Sequence, residues 1–346
     1  MKRYRGPLFG AIAVLLVIGY GIVGSRVAPV LLPGGTPTPT PTKPIQPVDA
    51  PRVSGTIAFT LRGDVYLLSQ GRYVALTKDG RSSQPHLAAD GKMILFTRSQ
   101  AIDGKRDVDG QVTPAILRYS DIVKEDPLGG PESIAVSGLR SKSPAGFHVV
   151  AWLQQPALAP DGKRFALTSD GGDGASDLEI FDINTGRRVQ LLSQGADLAD
   201  PGWSPDGKTI VVTSYTLGDP RILLVPADGK AALELKIKSD GQPYRPSFSP
   251  DGKWIVYTLR HEGRNDVHVV ELAGGRDVAL TSDGRSWNAV FSPEGSSIAF
   301  LREAAGVIDL YAMELADALS GGAPKPAVKL TRGEGIDGES RPSWGR

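Results

Sequence analysis

The sequence predicts an all-β protein: a six-bladed β-propeller closed by pairing of the C-terminal strand with the first blade, and preceded by one N-terminal transmembrane helix. Three observations carry this. A turn phrase recurs at Ala159-Pro160-Asp161-Gly162-Lys163, Ser204–Lys208, Ser249–Lys253 and Ser292–Ser296, with a weaker copy at Ala89-Asp90-Gly91-Lys92. An apolar residue precedes each copy (Leu87, Leu158, Trp203, Phe248, Phe291), and an apolar run such as Ile210-Val211-Val212 follows it. The acidic residues fall at 90, 161, 206, 251 and 294, so the intervals are 71, 45, 45 and 43. Repetition at that spacing, built from short strands and turns, is the pattern of propeller blades, each a four-stranded sheet.

The turn chemistry fits hairpin tips. In Ser204-Pro205-Asp206-Gly207, proline sets φ at the second position of a type I turn and glycine accepts the left-handed geometry that follows. Trp203-Ser-Pro-Asp-Gly-Lys208 with its apolar strand, then Asp266-Val-His-Val-Val270, then Ala279-Leu280-Thr281, resembles the WD40-like (PD40) repeat of the TolB-type six-bladed propeller family. The resemblance covers about 52 to 346. It implies an envelope protein that docks a partner at the channel mouth. TolB-type proteins carry an α/β domain ahead of the propeller, whereas this chain shows only a stalk there.

Composition narrows the function classes. The chain has 346 residues with 42 Gly and 27 Pro, which suits a turn-rich β protein. Lys and Arg number 39 against 38 Asp and Glu, so no basic field points to nucleic acid. With no Cys, structural disulfides, cysteine zinc sites and a lipid-modified N-terminal cysteine are excluded.

Residues 1–7 form a basic N-terminus containing Lys2, Arg3 and Arg5, and 8–32 read as a transmembrane signal-anchor region. As a helix, Leu8 to Val23 spans roughly 24 Å, a little short of a bilayer core of about 30 Å; tilt or the apolar tail Val27 to Leu32 supplies the rest. The alternative is a cleaved secretion signal. Either way the basic end stays in the cytoplasm and the C-terminal domain lies outside it. The alternating Thr-Pro of 33–51 favours polyproline II and buries nothing, giving a semi-rigid stalk of roughly 60 Å.

The remainder, 52–346, divides into blades of inner strand a, then b, c and outer d. Blade 1 has b at Thr56–Leu61, c at Asp64–Leu68 and d at Tyr73–Leu76, with no strand a of its own. Blade 2 runs Gln84–Ala88, Lys92–Thr97, near Ile116–Ser120 and near Ser133–Val136. Blade 3 has Pro156–Ala159, Arg164–Thr168, Leu178–Asp182 and Arg188–Leu192, and blade 4 has Pro201–Ser204, Thr209–Thr213, Arg221–Val225 and Ala232–Ile237. Blade 5 has Pro246–Ser249, Trp254–Thr258, Val267–Glu271 and Asp277–Leu280; blade 6 has Ala289–Ser292, Ser297–Leu301, Ile308–Glu314 and Ala327–Leu330. The leftover Arg341-Pro342-Ser343-Trp344 matches strand a and fills the vacancy in blade 1. That leaves no open edge between first and last blade.

Tips between a and b lie on one face with the c–d turns, while b–c loops and d-to-a connections lie on the other. The excess length of the 71-residue interval falls in Arg98–Pro114 and Ser137–Leu153, both on the second face, which is therefore the expected binding face. Aligned inner strands place Gln84, Gln155, Asp200, Arg245, Asn288 and Arg341 around the channel mouth there. One position earlier lie Gln154, Tyr244 and Trp287, the two aromatics offering flat contact surfaces. Proline follows the polar residue in five of six copies, which fits an innermost strand with a free edge. Trp203, Phe248, Phe291 and Trp344 read as blade-to-blade core.

Other chemistry is sparse. The carboxylate clusters Asp103–Gly110 and Asp170–Asp177 lack EF-hand spacing and read as turns. His86 and His148 lie near the expected binding face, His268 lies inside a strand, and no His pair has metal spacing. No nucleophile elbow, phosphate loop or dinucleotide fingerprint is present, so no catalytic residue, metal or cofactor is expected. The expectation is a membrane-anchored, monomeric binding or scaffold module for a protein or envelope component, engaged through the loop-bearing face and channel mouth. Its partners include the membrane, through the N-terminal helix, and no nucleic acid. The alternative is a Ca-dependent, lactonase-like propeller hydrolase with its site in the central channel.

Overall fold

The repeated turn closes on itself identically in successive blades. At Ser204, the Gly207 N–H donates to Ser204 O (2.9 Å), the Ser204 hydroxyl donates to Asp206 Oδ1 (2.6 Å), and the Thr209 N–H donates to Ser204 Oγ (3.0 Å). Ser249 and Asp251 repeat the set with Gly252 and Trp254. The glycines at these tips have φ between +64° and +73°, the left-handed geometry that lets a type I turn return into strand b.

The computed structural model describes residues 53–346 apart from 171–174, 193–196 and 217. The basic N-terminus, signal-anchor region and stalk expected for 1–51 thus lie outside the described residues. Among those described, no helix is long and apolar enough to cross a membrane.

Six four-stranded antiparallel sheets follow one another along the chain. In blade 1, Ser343–Gly345 is strand a, beside Thr56–Leu61, Asp64–Ser69 and Arg72–Ala75. Blade 2 comprises Ser82–Leu87, Ile94–Val108, Gln111–Glu125 and Ser133–Ser137; blade 3 comprises Trp152–Leu158, Arg164–Asp170, Ser176–Asp182 and Arg188–Leu191. Blades 4, 5 and 6 begin at Leu198–Trp203, Gln242–Phe248 and Ser286–Phe291 and end at Leu233–Glu234, Asp277–Ala279 and Val328–Lys329. The ring closes as expected: Ile57 is the register partner of Trp344, and the Trp344 indole N–H donates to Ser54 O at 2.7 Å.

Apolar strand faces pack blade against blade. Trp203 sits among Ala157, Ala166 and Leu178 of blade 3 and Ile210 and Val212 of its own blade. Trp344 joins Ile57 and Phe59 to Val290 and Leu301 of blade 6. Phe291 joins Val256 and Val267 of blade 5.

Two segments differ from expectation. The blade 2 stretch expected to be a loop is a ribbon in which strands b and c continue in register from Ile94↔Glu125 to Val108↔Gln111. Gly104 and Pro114 mask it in sequence, but a two-stranded ribbon with free outer edges tolerates both. The connection after Ser137 carries a small hairpin, Leu139–Ser141 with Val149–Val150, which meets the ribbon through Lys105 N–H to Gly146 O (2.8 Å). Strand a also starts earlier than proline suggests, because a bulge lets pairing resume upstream, as between Gln154↔Thr168 and Ala157↔Ala166.

Candidate functional site

Five of the six aligned polar residues occupy those bulges. Gln84, Gln155, Asp200, Arg245 and Asn288 all have φ between +52° and +60°, a conformation that costs a non-glycine residue on the order of 1 kcal/mol or more. What holds each one is the same device: its N–H donates to a side-chain oxygen from a segment that precedes it around the ring. Gln84 donates to Ser340 Oγ (2.9 Å), Gln155 to Gln84 Oε1 (2.8 Å) and Asp200 to Gln155 Oε1 (2.7 Å). Arg245 donates to Thr213 Oγ1 (2.9 Å) and Asn288 to Thr258 Oγ1 (3.1 Å). The threonines belong to one register position of strand b: Thr60, Thr97, Thr168, Thr213 and Thr258. Thr97, Thr168 and Thr213 also donate to Gln84, Gln155 and Asp200. This threonine set, visible as a recurring residue after five of the six apolar runs, with Leu301 in its place in blade 6, is what sequence reasoning missed.

The charged members are tied together as well. Asp200, 5 % exposed, accepts from Gln155 Nε2 (2.9 Å) and faces Arg245 Nε at 3.8 Å. Arg245 also donates to Asn288 Oδ1 (2.8 Å) and Glu339 Oε2 (2.6 Å). Burial pulls its guanidinium pKa down, but Asp200 and Glu339 outweigh this and leave it raised. Asn288 is fully buried, its amide N–H donating to Gly338 O (3.0 Å). Segment 337–340 lies along the loop side of these residues: the Trp287 indole also donates to Gly338 O (2.9 Å). Tyr244 is buried between the Arg245 and Arg260 guanidiniums and donates its hydroxyl to Asn265 (3.0 Å).

A cavity of about 740 Å³ fills the channel from this ring out to the turn face. Gln84, Gln155, Asp200 and Arg341 line its floor, while Pro160, Pro205, Pro250, Pro293, Trp203 and Phe248 line its upper wall. Arg245, Asn288, Tyr244 and Trp287 do not line it. The eight candidate residues therefore separate into four that face the open volume and four that are packed behind it. The volume also opens on the face opposite the ribbon and the small hairpin, whereas the expectation placed mouth and long loops together. The closing segment accounts for this: Gly338 O accepts from Trp287 and Asn288, Glu339 accepts from Arg245, and Asp337 accepts from the Arg62 and Gly63 N–H groups of a b–c turn, so 337–340 packs against these residues on the loop side.

Of the remaining candidates, His86 lines the cavity and accepts from Leu158 N–H at 3.3 Å. Burial first, and the Arg341 charge second, hold its imidazole down at about 3. His148 belongs to the small hairpin, accepting from Ser143 N–H (3.1 Å). Asp107 caps the ribbon turn by accepting from Gly110 N–H (2.9 Å). Among the described residues no three His, Asp or Glu side chains are placed to share a metal ion.

The TolB homolog of Chlorobium luteolum is 36% identical over 122 residues, 35% of this chain and 27% of that protein. The Tol-Pal system protein TolB of Anaeromyxobacter dehalogenans is 32% identical over 110 residues, 32% of this chain and 25% of the other. The chain thus matches about a quarter of the length of these relatives. TolB from Acinetobacter baumannii shares the fold, with a TM-score of 0.62 at 19% identity over 84% of this chain and 66% of that one. The family model of the TolB beta propeller domain matches residues 134–345, more than half of the chain, and the protein belongs to that family, PD40.

Proposed function

We propose that this protein is a binding module, held on the outer side of a membrane by its N-terminal segment, which takes a segment of a protein or envelope partner into the cavity on the turn face. The cavity carries the reading. At about 740 Å³ it falls in the range of roughly 300–1,000 Å³ typical of ligand sites, and it pairs an apolar wall with a few fixed polar groups. Loop variation around a rigid ring is the usual way such a scaffold gains a partner. The partial likeness to a Tol-Pal system protein TolB supports a role at the envelope.

Capture from solubilised envelope tests this with three forms of the full chain. Wild type and a form whose ribbon is cut in register, 101–118 replaced by Asn-Gly, should retain the same proteins. Ala89→Trp, which narrows the cavity mouth, should lose them. The reading fails if Ala89→Trp captures the wild-type set. Stoichiometric Ca²⁺ in purified protein together with ester or lactone turnover would favour the hydrolase instead.

A further inference from the structure

We infer that the cavity floor is a carboxylate-binding site centred on the Arg341 guanidinium, an assignment that rests on reading the cavity as the partner site. Arg341 enters from the closing segment and reaches across the axis. Its Nη1 donates to Pro246 O (2.7 Å) and its Nη2 to Pro201 O (3.0 Å), carbonyls of blades 5 and 4. Two of its five N–H groups are thus fixed on neutral acceptors, and the other three have no partner among the described residues. No carboxylate there forms a salt bridge with it. Asp200 acts on it only through space and is already engaged by Gln155, Thr213 and Arg245.

A half-buried guanidinium held in place but lacking a counterion is an incomplete pair. Its planar fork matches a carboxylate, and in a site withdrawn from water that charge-assisted bond is stronger than a neutral one. The surroundings select the class. Asp200 beside Arg341 disfavours a dianion such as phosphate, and the acidic rim residues Asp90 and Asp161 add to that through like-charge repulsion. The upper wall of Trp203, Phe248 and prolines favours an apolar carrier. A single carboxylate on an apolar group is the chemistry that fits, whether a free organic acid or the C-terminus of an inserted chain.

Titration calorimetry on the full chain separates these cases with four probes: Ac-Ala-Leu-Ala-Leu as the free acid, the same peptide as its amide, succinate, and inorganic phosphate. The free acid should bind at least tenfold more tightly than the amide. In Arg341→Gln that difference should vanish, in Arg341→Lys it should shrink, and in Arg118→Gln on the opposite face it should be unchanged. Succinate binding as tightly as the peptide would identify a free acid as the source; peptide binding alone would identify a chain terminus. Equal binding of acid and amide overturns the assignment, as does stronger binding of phosphate, or silence from every carboxylate up to roughly 10 mM, well above a millimolar Kd. The wild-type contrast decides even if the Arg341 variants fail to fold. Loss of that contrast with envelope capture intact removes only the carboxylate site; loss of capture with the contrast intact removes only the protein-partner reading.

Discussion

Gln155 and Asp200 exchange two hydrogen bonds across the boundary between blades 3 and 4: the Asp200 N–H donates to Gln155 Oε1 at 2.7 Å, and Gln155 Nε2 donates to Asp200 Oδ1 at 2.9 Å. Both residues are left-handed: the Gln155 side chain holds the Asp200 backbone, and the Asp200 carboxylate in turn fixes the Gln155 amide that does so. Asp200→Ala leaves Arg245 without one of its two carboxylates and should cost about 3 kcal/mol, as expected for breaking a buried pair. Gln155→Ala should cost less, and the double variant less than the sum by at least ~0.5 kcal/mol. Urea denaturation of the four-protein cycle measures this; strict additivity would mean the pair does not act as a unit.

The ring closes through its last residues, so stability should depend on a strand that is local to nothing else. Trp344→Ala removes an indole packed between blades 1 and 6 and its bond to Ser54, a loss of about 3–5 kcal/mol. Deleting 339–346 should abolish the cooperative melt. An unchanged melting curve for the truncated chain would rule out closure by this strand.

Two glycines at the same turn position give a sharper probe of that seam. Gly91 and Gly162 have φ of +72° and +64°, but a Cβ on Gly91 would lie 2.0 Å from Arg346 O, whereas one on Gly162 meets nothing within 4 Å. Both alanine variants carry the strain of a left-handed residue, roughly 1 kcal/mol. Gly91→Ala should melt measurably lower than Gly162→Ala, and equal melting temperatures would indicate that the C-terminus does not lie against blade 2.

Sequence patterning makes most of this architecture visible, because each blade repeats both its turn chemistry and its apolar runs. The pairing of Trp344 with Ile57 follows from counting one strand too few at the start and one too many at the end. The polar ring is visible as a column of Gln, Asp, Arg and Asn, but not its left-handed backbone: none of these is glycine, and the stabilising bonds come from threonines and glutamines of other blades and from Ser340 of the closing segment. The direction in which the cavity opens was hidden for the same reason. It depends on Gly338 and Glu339 engaging Asn288 and Arg245, contacts between segments far apart in the chain with no repeat to announce them. The ribbon beyond Arg98 was hidden by Gly104 and Pro114, which weaken a central strand but not a free-edged hairpin.

His86 makes stability depend on pH in a defined window. Its imidazole stays neutral in the folded chain down to about 3, whereas in the unfolded chain it takes up a proton near its ordinary value of about 6.5. Stability is therefore complete above about pH 6.5 and falls as pH drops from there toward 3, by about 2 kcal/mol at pH 5. His86→Gln should flatten the fall between pH 7 and 5. Parallel stability profiles for the two proteins would show that His86 titrates normally.

Photo-crosslinking from two single positions in the full-length protein, within intact envelopes, tests most directly whether the turn-face cavity is where a partner sits. A crosslinking residue at Ala89, on the cavity rim, should yield a discrete adduct that disappears in Arg341→Gln, while one at Gln111, on the ribbon tip of the opposite face, should yield none. Adducts from Gln111 with none from Ala89 would contradict the assignment.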